Sequence, residues 1–307
     1  MPFNYKRIIV SGTQEGVEGV SAALAEMSSF MQDCGWVLID NRSDQPGTAV
    51  NSTHMKYVFS SQGEENNFPT FFVTMYSGTT STVNDNVIGF DLHTAYDVGT
   101  HTVPASGIRT TSSEIASVTE TISVPSQTDN TEIFMSGDSE MVHFVTRKQI
   151  VNNDLATMDN CYMGRFNSFF KTSENPYPLL LATSLNTAIV TDSNTGFFRA
   201  IGGEPPQAIT PISTQVFFVS DANEPYNLGT VSSIFFARPI LISYQQISPF
   251  IMKGVAGTVR NGWAGADATN LFNLSILTAS GTFGSQEYQS FTAEGSFSQN
   301  SIILRKS

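Results

Sequence analysis

Charged side chains are scarce in this chain. They make up 14% of its 307 residues, against roughly 25% in an average soluble protein, so solubility rests mainly on Ser, Thr, Asn and Gln, a surface chemistry suited to packed assemblies. The charges present are unbalanced: 15 Lys and Arg against 27 Asp and Glu give a formal net charge of -12. That balance repels phosphate backbones at long range and argues against nucleic acid as a partner. Cysteine is rarer still. Cys34 and Cys161 are the only two, too few for a disulfide framework and without metal-ligand spacing, and their apolar surroundings predict buried thiols. No run approaches the roughly 18 apolar residues of a membrane span, and the opening MPFNYKRIIVSG has no long apolar core of the signal-peptide kind. The expectation is a soluble chain made in a cytoplasm, with no membrane partner.

Catalytic signatures are missing too. There is no G-x-S-x-G elbow, Walker loop, G-x-G-x-x-G fingerprint, H-E-x-x-H or C-x-x-C, so no catalytic residue, cofactor or metal is expected. Of the four histidines, His54 and His143 stand alone and read as satisfied, partly buried side chains. His93 and His101 bracket Asp91 and Asp97 in DLHTAYDVGTH. A hairpin there would bring two imidazoles and two carboxylates together, yet on a strand only Asp91 and His93 share a face, so ordinary loop polarity is preferred. DSNTG at 192–196 opens like a calcium loop with Asp192, Asn194 and Gly196, but no acidic residue follows at the twelfth position, and a turn is the simpler reading.

What the chain does have is β-forming residues. Twenty-three Phe against two Trp favour dry packing over hydrogen-bonded ligand reading. From Met55 onward, runs of Val, Ile, Thr, Tyr and Phe separated by Gly, Asn, Asp and Pro predict strands at KYVFSS, TFFVTMYS, NVIGFDL, EIFMS and VHFVTRK. One helix is predicted near the start, in EGVEGVSAALAEMSSFMQDCGW. There Val17, Val20, Leu24, Met27, Met31 and Cys34 recur at helical spacing, Ser11 or Thr13 can cap the start, and Gly35 suits the C-terminal end. WVLID follows as a short strand, with Trp36 read as core, and the closing run SIILR is expected at a sheet edge.

Two stretches echo each other: YVFSSQGEENNFPTFFVT at 57–74 and TEIFMSGDSEMVHFVT at 131–146. Each reads as strand, small acidic turn, strand. Glu64 and Glu140 occupy equivalent turn positions and form a formal glycosidase pair, but solvated acidic turn residues explain them more simply. The fold class expected is α+β and predominantly β, an N-terminal helix packed on a sheet followed by antiparallel β-sandwich-like domains. The expected divisions are an α+β domain at 1–110, a Ser/Thr-rich linker or edge hairpin at 111–131, and a β-rich domain at 132–307, subdivided near 215.

The helix running into CGWVLID, then YVFSSQGE with FFVTMY, GFDLHTAYDVGTH, IFMSGDSEMVHFVTRK, CYMGRF, ENPYPLLLATS and MKGVAGTVRNGW together resemble a loosely defined group of tailed-bacteriophage virion proteins. The resemblance spans most of the chain in short, degenerate phrases. It implies a non-enzymatic structural subunit of the tail, neck or baseplate, assembled in the host bacterial cytoplasm into a cyclic homo-oligomer that contacts other virion proteins. The alternative is a lectin-like receptor- or glycan-binding tail module that meets a host surface glycan. Its candidate ligand or interface loop is Arg260, Asn261 and Trp263 in RNGWAGAD, with the indole free to stack on a sugar ring. A polysaccharide hydrolase is the third reading.

Overall fold

The computed structural model describes residues 3–10, 17–42, 55–61, 68–77, 87–110, 121–124, 130–148, 158–168, 177–183, 197–201, 215–218, 235–237, 239–247, 250–258, 262–266, 276–278, 287–292 and 301–306. Strand β1 (Asn4–Val10) is followed by helix α1 (Val17–Asp33) and strands β2 (Val37–Arg42), β3 (Lys56–Ser61), β4 (Phe71–Ser77), β5 (Val87–His93) and β6 (Thr121–Ser123). Then come β7 (Thr131–Gly137), β8 (Met141–Lys148), β9 (Met158–Arg165), β10 (Asn167–Ser168), β11 (Leu179–Thr183), β12 (Phe197–Ile201) and β13 (Gln215–Phe218). The C-terminal strands are β14 (Phe235–Ala237), β15 (Pro239–Ile247), β16 (Phe250–Thr258), β17 (Gly262–Ala266), β18 (Ile276–Thr278), β19 (Glu287–Thr292) and β20 (Ser301–Arg305). The fold is α+β and predominantly β, and its strand ladders are antiparallel.

The strands form four sheets: a central one in the order β1-β7-β8-β9-β11-β12, a second as β2-β3-β4-β5-β6, and two more as β10-β16-β15-β13 and β14-β17-β20-β19-β18. The central and second sheets share a core with α1. Phe144 of β8 shows how: it meets Phe30 of the helix edge-on (6.4 Å) and stacks on Phe90 of β5 (6.1 Å). The opposite face of the central sheet is covered by the C-terminal sheet. Phe134 packs on Phe291 (4.8 Å), Ser136 Oγ donates to the Arg305 carbonyl (2.9 Å), and the Tyr5 hydroxyl donates to Gln289. Around β7 the central sheet is therefore covered on both faces, which is why that strand is buried along its whole length.

The helix ends as its sequence predicts. Gly35 takes φ 93°, its amide donates to Gln32 and that of Trp36 to Met31, which is the paired-bond stop that a left-handed glycine permits. Both proposed N-caps, Ser11 and Thr13, lie outside the described residues. Of the expected stripe, Val20, Leu24, Met27, Met31 and Cys34 are buried, the Val17 side chain lies outside the described residues, and Ala23 and Phe30 join the stripe. The stripe is wider than one sheet demands because α1 touches β1 and β7 of the central sheet as well as β2, β4 and β5 of the second.

Two expectations need correction, and two others are met in part. The domain division after residue 110 is crossed by a sheet, since β1 pairs with β7 from Asn4↔Gly137 to Val10↔Thr131. Within the segment expected as a linker or edge hairpin, β6 is an edge strand on β5, in keeping with the edge alternative. SIILR is not at an edge: β20 lies in the middle of its sheet, paired with β17 on one side and β19 on the other. The two echoing units are both hairpins, as expected, β3–β4 and β7–β8, and their matching phrases face opposite ways. Phe144 points into the shared core, whereas Phe72 leaves that role to Phe71 and Val73. The two hairpins pair in the same register, Val73 with Phe59 and Val145 with Phe134, so the second is turned over as a unit and the same letters meet different surroundings.

Candidate functional site

The acidic turn of the second echo is buried, not solvated. Asp138 and Glu140 are 4% and 1% exposed. Asp138 Oδ1 accepts from the amides of Glu140 (2.9 Å) and Met141 (3.0 Å), while its carbonyl accepts from Trp36 Nε1 (2.8 Å). Glu140 lies 3.5 Å from Arg165, whose Nη2 donates to the Pro69 carbonyl (2.6 Å) and whose guanidinium sits 4.2 Å over the Phe68 ring. Ser61 Oγ donates to the Ser139 carbonyl (2.5 Å). The turn thus ties the two sheets together, and Glu140 is a structural counterion to Arg165. Glu64, its formal glycosidase partner, lies outside the described residues.

The densest constellation of partly exposed functional groups is elsewhere, on the outer face of the second sheet. Residues 94–110 leave β5, cross towards the edge strand β2, and return to bridge Arg109 to His93. This strap is fixed at its base by Asp91. One carboxylate oxygen accepts from Arg109 Nε (3.0 Å) and Nη2 (2.6 Å), the other from the Thr110 amide (3.2 Å) and hydroxyl (2.9 Å). Thr94 and Ile108 close its neck with two further bonds. At the far end Asp40 Oδ2 accepts from the Tyr96 hydroxyl (2.6 Å) and from His101 Nδ1 (2.8 Å). Lys56 Nζ donates to the His101 carbonyl (3.0 Å) and lies 5.1 Å from the Tyr96 ring centre.

These contacts hold His101 at φ 61°, a left-handed conformation that few residues other than glycine adopt. A carboxylate only accepts, so Nδ1 of His101 carries the proton and Nε2 is turned away from Asp40. Burial pushes the Asp40 carboxyl up, but the bonds from Tyr96 and His101 outweigh it and hold its pKa below the ordinary value. Asp97 shapes the strap's exposed tip, accepting from the Gly99 amide (2.8 Å) and the Thr100 hydroxyl (3.0 Å). The Gly99 bond is the main reason its pKa is also lowered.

His93 anchors the inner end. Its Nδ1 donates to the Ala95 carbonyl (2.9 Å), its Nε2 accepts from the Thr74 hydroxyl (2.8 Å), and its ring stacks on Phe72 (5.6 Å, 8°) beside Tyr96. Burial pushes its pKa down to about 4, overriding the pull of Asp91. His143, on the far face of the central sheet against Tyr162, makes no hydrogen bond of normal geometry, and burial takes it to about 4 as well, partly offset by Asn160. Sequence reasoning placed His93, His101, Asp91 and Asp97 in one segment, and the hairpin it required does form, with Asp97 bridged to Thr102. It missed Asp40 and Lys56, which no local pattern connects to that segment.

The other expected sites fare differently. Trp263 lies within strand β17, paired with Ile303, and not in a loop; Arg260 and Asn261 are outside the described residues, as are His54, Asp192, Asn194 and Gly196. Cys34 and Cys161 are buried free thiols, and burial raises both pKa values, that of Cys34 to about 12. Among the described residues no three His, Cys, Asp or Glu side chains converge to hold a metal ion, and no helix is long and apolar enough to cross a membrane. No family model matches the chain, and neither a curated protein nor a solved structure does.

Proposed function

We propose that this chain is a structural subunit of a tailed-bacteriophage virion, of the tail, neck or baseplate, acting through assembly with copies of itself and with other virion proteins. The observation that carries the assembly reading is a pair of sheet edges flanking α1. Strands β1 and β2 each end their sheet, with no second strand partner among the described residues, and they carry Ile9 and Val37 at 51% and 46% exposure. Unpaired edges of this kind template further strand pairing unless covered, and closed oligomers cover them. The phage assignment rests on the sequence resemblance and on the low charge.

The test is assembly state by analytical ultracentrifugation, together with mass spectrometry of purified virions. The wild type is expected to form a closed oligomer, and Ile9→Lys with Val37→Lys to yield a monomer with the wild-type circular-dichroism spectrum and a melting temperature that no longer depends on protein concentration, since a charged edge blocks pairing without touching the core. A wild-type chain that stays monomeric at high concentration and is absent from virions refutes the proposal.

A further inference from the structure

We propose that the strap at residues 94–110 carries a binding site for a neutral glycan, formed by Phe72, Tyr96, Thr100, His101 and Thr102. The strap is seventeen residues long without regular secondary structure, beyond the roughly 12–15 at which ordered loops are usually functional. Its one strained residue, His101, is held by bonds to Asp40 and Lys56 from two different strands, and such strain gathers at ligand clamps. These bonds orient the imidazole in advance, so binding would need little further ordering.

The chemistry exposed there selects the ligand. Phe72 and Tyr96 are partly exposed, and His93, buried between neighbours, fixes the Phe72 ring by parallel stacking. A sugar presents an apolar C–H face to such rings and a rim of hydroxyls to polar groups around them. That rim would meet His101 Nε2 and the hydroxyls of Thr100 and Thr102, which lie 2.9 Å apart. An acidic ligand is disfavoured, because both local cations are engaged: Arg109 by Asp91, and Lys56 by the His101 carbonyl and the Tyr96 ring. The net charge of -12 adds long-range repulsion. The site replaces Trp263 as the place where a glycan would be read, and it does not depend on the assembly proposal, since a monomer can bind equally well.

The full chain is applied to an array of neutral, sialylated and sulfated glycans, and the best neutral glycan is titrated calorimetrically against variants. His101→Asn keeps a side chain that tolerates a left-handed backbone and can donate to Asp40, but lacks Nε2; Phe72→Leu keeps bulk but not the ring. Each is expected to weaken binding by about tenfold or more, while Val98→Ser at the exposed tip leaves it unchanged. Hydrogen exchange over 94–110 checks that the strap stays closed. If His101→Asn opens it, Phe72→Leu decides. No neutral glycan bound, binding confined to acidic glycans, or full binding by both variants overturns the proposal.

Discussion

Lowering the pH from 7.5 to 5 should remove a large part of this protein's stability, and two histidines account for it. His93 and His143 are buried and held neutral, each with its pKa depressed from 6.5 to about 4. The unfolded chain takes up protons near pH 6.5 that the folded chain refuses until about pH 4. The stabilisation is therefore complete above pH 6.5, falls as the pH drops through the interval, and stops falling once both states are protonated. At about 1.4 kcal/mol per pH unit, the full interval is worth about 3 kcal/mol per histidine, and about 2 kcal/mol of it is already lost at pH 5. Two sites double that figure, a large fraction of the 5–15 kcal/mol typical of a folded domain. Urea denaturation at half-unit pH steps reads it directly. His143→Gln should cut the slope between pH 6.5 and 5 by about half while leaving the high-pH plateau flat. A wild-type stability that does not change between pH 7.5 and 5, or a His143→Gln slope equal to that of the wild type, would refute the assignment of these rings as buried and uncharged.

Three further outcomes are expected. Glu140→Gln leaves the Arg165 guanidinium buried without its counterion and should cost about 3–5 kcal/mol by chemical denaturation; a loss below 1 kcal/mol would mean that the pair is solvated. Gly164→Ala drives a Cβ into the Glu140 carbonyl oxygen at φ +129°, and expression should yield little folded protein, with a loss above about 3 kcal/mol in whatever remains. Asp91→Asn weakens the Arg109 clamp, so amide exchange over 94–110 should accelerate by at least about tenfold while β7 and β8 stay protected.

Strand positions between 56 and 148 are legible because β-branched and aromatic runs there are short and punctuated, and KYVFSS coincides with β3. The helix stop is legible for the same local reason. Facing is not: FVT at 72–74 and at 144–146 reads alike and pairs alike, Val73 with Phe59 and Val145 with Phe134, yet the two hairpins turn opposite faces to the shared core, which only the packing of the sheets decides. The burial of Glu140 is hidden because its counterion, Arg165, belongs to another strand. The His101 contact with Asp40 spans 61 positions, so composition marked the strap as polar without revealing what it was tied to. Local periodicity encodes elements, and long-range pairing decides what they touch.

The ladder between β1 and β7 has a consequence for biosynthesis. About 130 residues separate Asn4 from Gly137, so the amino-terminal strand leaves the ribosome long before its mate exists. Until then it waits with the Phe-rich hairpin of β3 and β4 uncovered on its inner side, a window in which chaperone capture competes with aggregation. A clone truncated before residue 131 would never leave that window, and fusing a fast-folding partner to the start of the chain would not shorten it.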